Sequence, residues 1–219
     1  MKTRQVKILL PKAWIQDRKR DYYYQKAKAE NYRSRATYKL SQTVRTYRFI
    51  RRGNVVVDLG AAPGGWIQAA RKVAGKTGFV LGVDLKPIAP FPQDYIRTIV
   101  LDFTEPTAVK QIMDFLPRKA DVVLSDASPN ISGIWEVDNA RQIDLASQAL
   151  KVASDVLRPS GNFFVKVFEG NMLPGFVKTV KKHFEVIKIV KPKASRPRSS
   201  EMYLLAMRLK QNTHTEEQS

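Results

Sequence analysis

Between residues 55 and 168, short apolar runs alternate with longer stretches whose apolar positions recur at helical spacing. Val55–Val57 is an unbroken β-branched run ending on Asp58, which predicts a strand buried on both faces. Gly64 to Val73 predicts a helix, Gly78–Asp84 a second strand and Ile96–Leu101 a third. Pro106 stands in the first turn of a helix that runs to Leu116, and Ala120–Ser125 is a fourth strand. Asn139 to Leu157 carries Ile143, Leu145, Leu150, Val152 and Val156 as a long helix, stopped by Arg158-Pro159-Ser-Gly161. Asn162–Phe168 is a fifth strand and Leu173 to Lys182 a short helix. Phe184–Val190 and Glu201–Leu209 are two last strands with no helix between them. Upstream, Ser34 to Phe49 reads as a helix, with Ser34 placed to cap it and Tyr38, Leu40, Val44 and Tyr47 as its stripe.

Strands alternating with helices predict an α/β fold with a seven-stranded, mostly parallel sheet. The last connection is too short for a crossover helix, so the closing strand is expected to be antiparallel. The organisation is a basic N-terminal extension over 1–32, one domain over 33–210 and a polar tail over 211–219. In such sheets ligands sit at the carboxyl ends of the strands, so the residues just after strands one to five should converge.

Composition narrows the chemistry. No run of eighteen apolar residues suits a membrane span. There is no cysteine, and the two histidines, His183 and His214, lie far apart, so thiolate chemistry and a histidine-based metal site are not expected. A cytoplasmic protein is the expectation. The net charge is +18, and it is clustered. Residues 1–52 hold sixteen Lys/Arg against three acids, and residues 178–198 hold eight against Glu185 alone. Two basic flanks around a balanced centre point to a polyanion, most often nucleic acid, and look like an RNA-binding rim around a catalytic core; neither a DNA nor a membrane partner is expected. Tyr22-Tyr-Tyr24, inside the first flank, suits stacking on unpaired bases and helix packing equally well.

The first strand leads into Asp58-Leu-Gly-Ala-Ala-Pro-Gly-Gly-Trp66. Small residues let the backbone approach a ligand, and the following helix start offers free N–H groups. The glycine spacing is not G-x-G-x-x-G and no Gly-Lys-Ser/Thr follows, which disfavours a dinucleotide or a nucleoside triphosphate. Asp84 ends strand two, where an acid can accept from the ribose hydroxyls of an adenosine. Asp102 ends strand three, within reach of an adenine amino group.

Asp58 to Trp66 resembles the cofactor motif of the FtsJ/RrmJ ribose 2′-O-methyltransferases, and the similarity extends from Ser34-Arg-Ala-Thr-Tyr-Lys-Leu40 to Ser200-Glu-Met-Tyr203. The resemblance implies the Rossmann-like fold of S-adenosylmethionine-dependent methyltransferases, with 33–210 as the methyltransferase domain. It implies S-adenosyl-L-methionine as cofactor, with Gly64 and Trp66 bordering it, Asp84 at its ribose, Asp102 at its adenine and Asp126 at its methionine end. It also implies a catalytic Lys-Asp-Lys-Glu set, matched here by Lys39, Asp126, Lys166 and Glu201, and no metal. The implied substrate is a ribose 2′-hydroxyl of RNA, a uridine of large-subunit ribosomal RNA in preference to transfer RNA. A non-catalytic RNA-binding protein of ribosome assembly is the alternative of another class, and the four intact positions speak against it.

Lys166 stands out on physical grounds alone. It is flanked by Phe163-Phe-Val and Val-Phe168 on an apolar strand, where an unpaired ammonium is costly. Asp126 is its expected partner. A partly buried lysine can lower its pKa and act as a general base. Glu201, after a basic loop, could instead pair with Arg196 or Arg198, and Lys39 reads equally as a solvated helix lysine.

Overall fold

Val55, Val56 and Val57 have no polar side chain to keep on a wet face, and the strand they begin, β1 (Val55–Leu59), is buried along its whole length. The computed structural model describes residues 21–196 and 199–211. β1 pairs in parallel with β2 (Phe79–Asp84) on one side and with β4 (Ala120–Ser125) on the other. β3 (Ile96–Val100) lies beyond β2, and β5 (Leu157–Phe168) beyond β4, both parallel. β7 (Glu201–Leu209) joins β5 antiparallel, and β6 (Phe184–Val190) closes the far edge. The order is β3-β2-β1-β4-β5-β7-β6, with β7 alone reversed, as the short final connection requires.

Six helices complete the described residues: α1 (Tyr22–Ala29), α2 (Thr37–Tyr47), α3 (Gly65–Ala74), α4 (Ala108–Phe115), α5 (Trp135–Val156) and α6 (Leu173–His183). Leu40 and Val44 of α2 and Ile67 and Ala70 of α3 pack on one face of the sheet, against Val56, Val80, Leu124 and Phe164. Ile112 of α4, Ala146 and Leu150 of α5 and Phe176 of α6 pack on the other, against Val57, Val123 and Phe163. No helix among the described residues is long and apolar enough to cross a membrane.

Four local expectations change. Pro106 lies before α4, whose N-cap is Thr107, rather than in its first turn. Ser34 makes no side-chain cap; Ala36 is the N-cap of α2, and the carbonyl of Ser34 accepts from the Thr37 N–H instead. α5 begins at Trp135, four residues before Asn139; Ile134 and Trp135 stay exposed there, so no burial period marks its first turn. β5 begins at Leu157 and absorbs the expected turn as an irregularity, with Ser160 at φ 61° and a register shift against β4. Of Tyr22 to Tyr24, Tyr23 packs with Tyr32, Ala27, Tyr38 and Ala194, which holds α1 against α2, while Tyr22 is 67% exposed.

Candidate active site

The carboxyl ends of β1 to β4 meet at one cleft of about 600 Å³, whereas the residues after β5, expected there as well, do not line it. Gly60 follows β1, Asp84 ends β2, Asp102 follows β3 and Asp126 follows β4, and all four line it. Gly60 has φ +74°, and a Cβ there would come within 2.7 Å of Ala127, so only glycine lets the two loops close together. The Asp84 carboxylate is aimed by the backbone: it accepts from Ala62 N–H and Lys86 N–H, each at 2.8 Å. Asp102 accepts from Thr104 N–H at 2.9 Å and Thr104 Oγ1 at 2.7 Å through one oxygen. Its other oxygen has no partner among the described residues.

Gly64 and Trp66 stand outside the lining of this cleft. Gly64, at φ +107°, is the N-cap that turns the loop into α3. Trp66 is buried; its Nε1–H donates to Ala36 O at 2.8 Å, and its ring stacks on Phe164 at 5.4 Å and lies 5.7 Å from Tyr203. It forms the wall behind the second half of the site.

That half joins Lys39, Asp126, Lys166 and Glu201. Lys166 is 6% exposed, so it does not reach past the sheet to solvent. Its Nζ lies 3.2 Å from Asp126 Oδ1 and donates to Asp126 O at 2.6 Å. Lys39, in the first turn of α2, meets Glu201 Oε1 at 2.6 Å. Tyr203 bridges the two ion pairs: its hydroxyl lies 2.8 Å from Asp126 Oδ1 and 3.1 Å from Glu201 Oε1. The register explains this, since β5 and β7 set Lys166 opposite Tyr203 and Phe168 opposite Glu201. Ser195 Oγ also donates to Glu201, at 3.1 Å. Arg196 faces Asp21 rather than Glu201, and Arg198 lies outside the described residues.

Burial pushes the Asp126 carboxyl up, but the ammonium charges of Lys166 and Lys39 and the hydrogen bonds from Tyr203 and Lys166 outweigh it and hold it below the usual range. Asp126 is therefore a fixed anion at neutral pH. Burial, then the charges of Asp126 and Glu201, push the Tyr203 phenol well up, so its hydroxyl remains a donor.

Residues 32–209 match the family model described as FtsJ-like methyltransferase. The chain belongs to this family. It is 49% identical to the ribosomal RNA large subunit methyltransferase E of Methanocaldococcus jannaschii, over 90% of this chain and 82% of that protein. The enzyme of the same name from Methanobrevibacter smithii is 44% identical, over 90% of this chain and 94% of its own. Among solved structures, a ribosomal RNA methyltransferase from Plasmodium falciparum superposes with a TM-score of 0.72 at 24% identity, covering 81% of this chain and 98% of that one, and shares the fold.

An FtsJ-like methyltransferase uses S-adenosylmethionine, and the cleft suits that cation. In a chain of net charge +18 it is lined by Asp84, Asp102, Asp126 and Asp144 against only Lys86 and Arg141. Asp58, one residue before the end of β1, is fully buried, and neither carboxylate oxygen has a hydrogen-bond partner among the described residues. Burial, then the neighbouring charges of Asp126 and Asp84, push its carboxyl well up. A sulfonium and an ammonium bring positive charge to this end of the sheet, where the protein has concentrated acids.

Two participants escaped the sequence reading. Tyr203 entered that reading only as the last residue of Ser200-Glu-Met-Tyr203, with no role given to it, and its register opposite Lys166 shows its place. Gln142 of α5 donates from Nε2 to Lys166 O at 3.0 Å and lies 3.3 Å from Ala127 O, tying α5 to both β5 and the loop after β4. Neither residue type at either position announces such a role.

Proposed function

We propose that this chain transfers a methyl group from S-adenosylmethionine to the 2′-hydroxyl of a uridine in large-subunit ribosomal RNA. The observation that carries the reading is the Lys166–Asp126 pair, whose Asp126 also lines the cleft, joined through Tyr203 to Lys39–Glu201. The names of the curated relatives support the substrate class.

When bound, S-adenosylmethionine supplies a methyl group made electrophilic by the adjacent sulfonium. Asp84 holds its ribose and Asp102 its adenine, while Gly64 and Trp66 act by shaping the loop and the wall behind it. As the neutral amine, Lys166 has two N–H donors, which face Asp126 Oδ1 and Asp126 O, and one lone pair. The lone pair faces the substrate, where it accepts the 2′-OH proton; the oxygen bonds the methyl carbon as the carbon–sulfur bond breaks onto sulfur, and the ammonium formed on Lys166, held by Asp126, returns its proton to solvent. Asp126 fixes Lys166 in place. Lys39 and Glu201 orient the ribose beside it. The basic residues over 1–32 and 178–198 would hold the phosphates, with 33–210 as the methyltransferase domain and 211–219 as a polar tail; residues 1–20, 197, 198 and 212–219 lie outside the described residues. The enzyme works where ribosomal RNA is processed, in the cytoplasm.

The test is to incubate the protein with labelled S-adenosylmethionine and separated cellular RNAs, then digest with alkali. Label in large-subunit ribosomal RNA, in an alkali-resistant dinucleotide, is the expected result. Label in transfer RNA would reassign the substrate, and no label in any RNA would favour a non-catalytic RNA-binding protein.

A further inference from the structure

The loop from Pro129 to Trp135 holds apolar side chains in water beside the catalytic residues. Ile131 is 63% exposed, Ile134 59% and Trp135 44%. This is not a frayed loop. Asp138, itself buried, accepts from Ser132 N–H at 2.7 Å, Ser132 Oγ at 2.8 Å and Gly133 N–H at 3.0 Å, and Ser132 Oγ accepts in turn from Ile134 N–H at 3.2 Å. A carboxylate with three donors from one turn fixes the loop's shape. The apolar surface is therefore built and held out, which in a soluble domain marks a contact surface.

Its position is set by the reaction's own strands. The Trp135 ring stacks on Phe168, centroids 6.0 Å apart and planes 25° from parallel. Phe168 is two residues past Lys166 on β5, hence on the same face of the strand, and lies directly opposite Glu201 on β7. Two helical turns further along α5, Gln142 bonds the carbonyl of Lys166. The helix start that carries Trp135 is thus anchored to the backbone of the proposed base.

We propose that Trp135, backed by Phe168 and flanked by Ile131 and Ile134, is a stacking shelf for the unpaired base of the nucleotide being methylated. The inference rests on the RNA-substrate reading above. A 2′-oxygen presented to Lys166 brings its own base within a few ångströms, and the surface it meets there is flat, aromatic and desolvated on one side. Stacking on an aromatic face suits any base once it is out of a duplex, so the shelf selects an unpaired nucleotide rather than a sequence. Trp135 acts as a positioning residue; it takes no part in proton transfer.

The experiment compares Trp135→Ala and Trp135→Phe with the wild-type protein on isolated large-subunit ribosomal RNA. The shelf predicts that Trp135→Ala raises KM for RNA by about 5- to 150-fold, the range of one base–aromatic stack, and changes kcat by less than about threefold. Trp135→Phe keeps a ring and should recover most of the loss. Affinity for S-adenosylmethionine should be the same in all three, which reports an intact fold. In a second measurement, an oligouridylate should quench tryptophan fluorescence of the wild type and not of Trp135→Phe, and an abasic ribose-phosphate oligomer should quench neither. A wild type that labels RNA alongside a Trp135→Ala variant with unchanged KM overturns the shelf alone. A wild type that leaves all RNA unlabelled overturns the reading on which it rests, and the shelf with it. A mass in sedimentation that falls on Trp135→Ala would assign the patch to self-association and overturn the shelf as well.

Discussion

β4 meets an aspartate near each end, Asp121 buried and Asp126 half-buried, and the two ends use it differently. Asp121, near the start, accepts from Val55 N–H at 2.7 Å, Arg118 at 2.7 Å and Arg158 at 2.6 Å. Burial pushes its carboxyl up, but the Arg118 hydrogen bond, the Val55 N–H and the Arg158 hydrogen bond hold it below the usual range. Asp126, just past the end, is held down in the same sense, but chiefly by lysines. A guanidinium keeps its proton at any working pH, so the Asp121 knot is static and ties β1, β4 and β5 together. An ammonium can give up a proton and rotate its donors. Asp126 also keeps one oxygen without a partner among the described residues, whereas both oxygens of Asp121 are engaged. The same pairing is a clamp at one end of the strand and, in the function proposed above, a reaction centre at the other.

The largest effect should come from exchanging the cation at the reactive end. Lys166→Ala should lower methyl transfer by about 10²–10⁴-fold, the usual contribution of a general base, while S-adenosylmethionine binding and a cooperative melt persist. Lys166→Arg should not rescue it, because a guanidinium keeps the charge but does not take a proton. Near-normal turnover by either variant would remove Lys166 from the role of base. Next come the two carboxylates. Asp126→Asn should slow transfer by about 10–100-fold by loosening the general base and leave RNA affinity little changed. Asp121→Ala should leave turnover per folded molecule alone. It should lower stability by about 2 kcal/mol, the scale of hydrogen bonds to a charged group, or about 4–8 °C in melting temperature. Loss of catalysis without loss of stability in Asp121→Ala would erase the distinction between the ends.

Much of this contrast could be read from the chain, and the part that could not has a physical reason. β4, β6 and β7 fall on the residues their apolar patterns predict. Lys166 demanded a partner because its strand is apolar throughout, and Asp126 supplies it. The partner of Glu201 was not legible: the nearby Arg196 and Arg198 looked nearer in sequence, but the ion pair goes to Lys39 across the packing of α2 on the sheet. Tyr203 was missed because a strand tyrosine reads as core until strand register sets it opposite a lysine. The start of α5 was missed because exposed Ile134 and Trp135 follow no burial period. Local patterns record burial; they do not record what distant strands bring alongside.

The cleanest test adds a third acid. Asp58, on β1 beside β4, has no cation, and its carboxyl is pushed up where those of Asp121 and Asp126 are held down. The signs follow. For Asp121 and Asp126 the folded chain binds the proton more weakly than the unfolded one, so their stabilisation is complete above the ordinary carboxylate range and lost as pH falls through their lowered values. For Asp58 the folded chain keeps a proton that the unfolded chain releases near pH 4, so stability is lost as pH rises from there toward the raised value. Asp58→Asn keeps the shape and removes the titration. In urea unfolding of the cofactor-free protein, the variant should match the wild type at pH 4. It should then gain on the wild type by up to about 1.4 kcal/mol per pH unit through pH 5 and 6. Parallel curves would mean that Asp58 ionises in place, and the carboxyl without a cation would then behave like the two that have one.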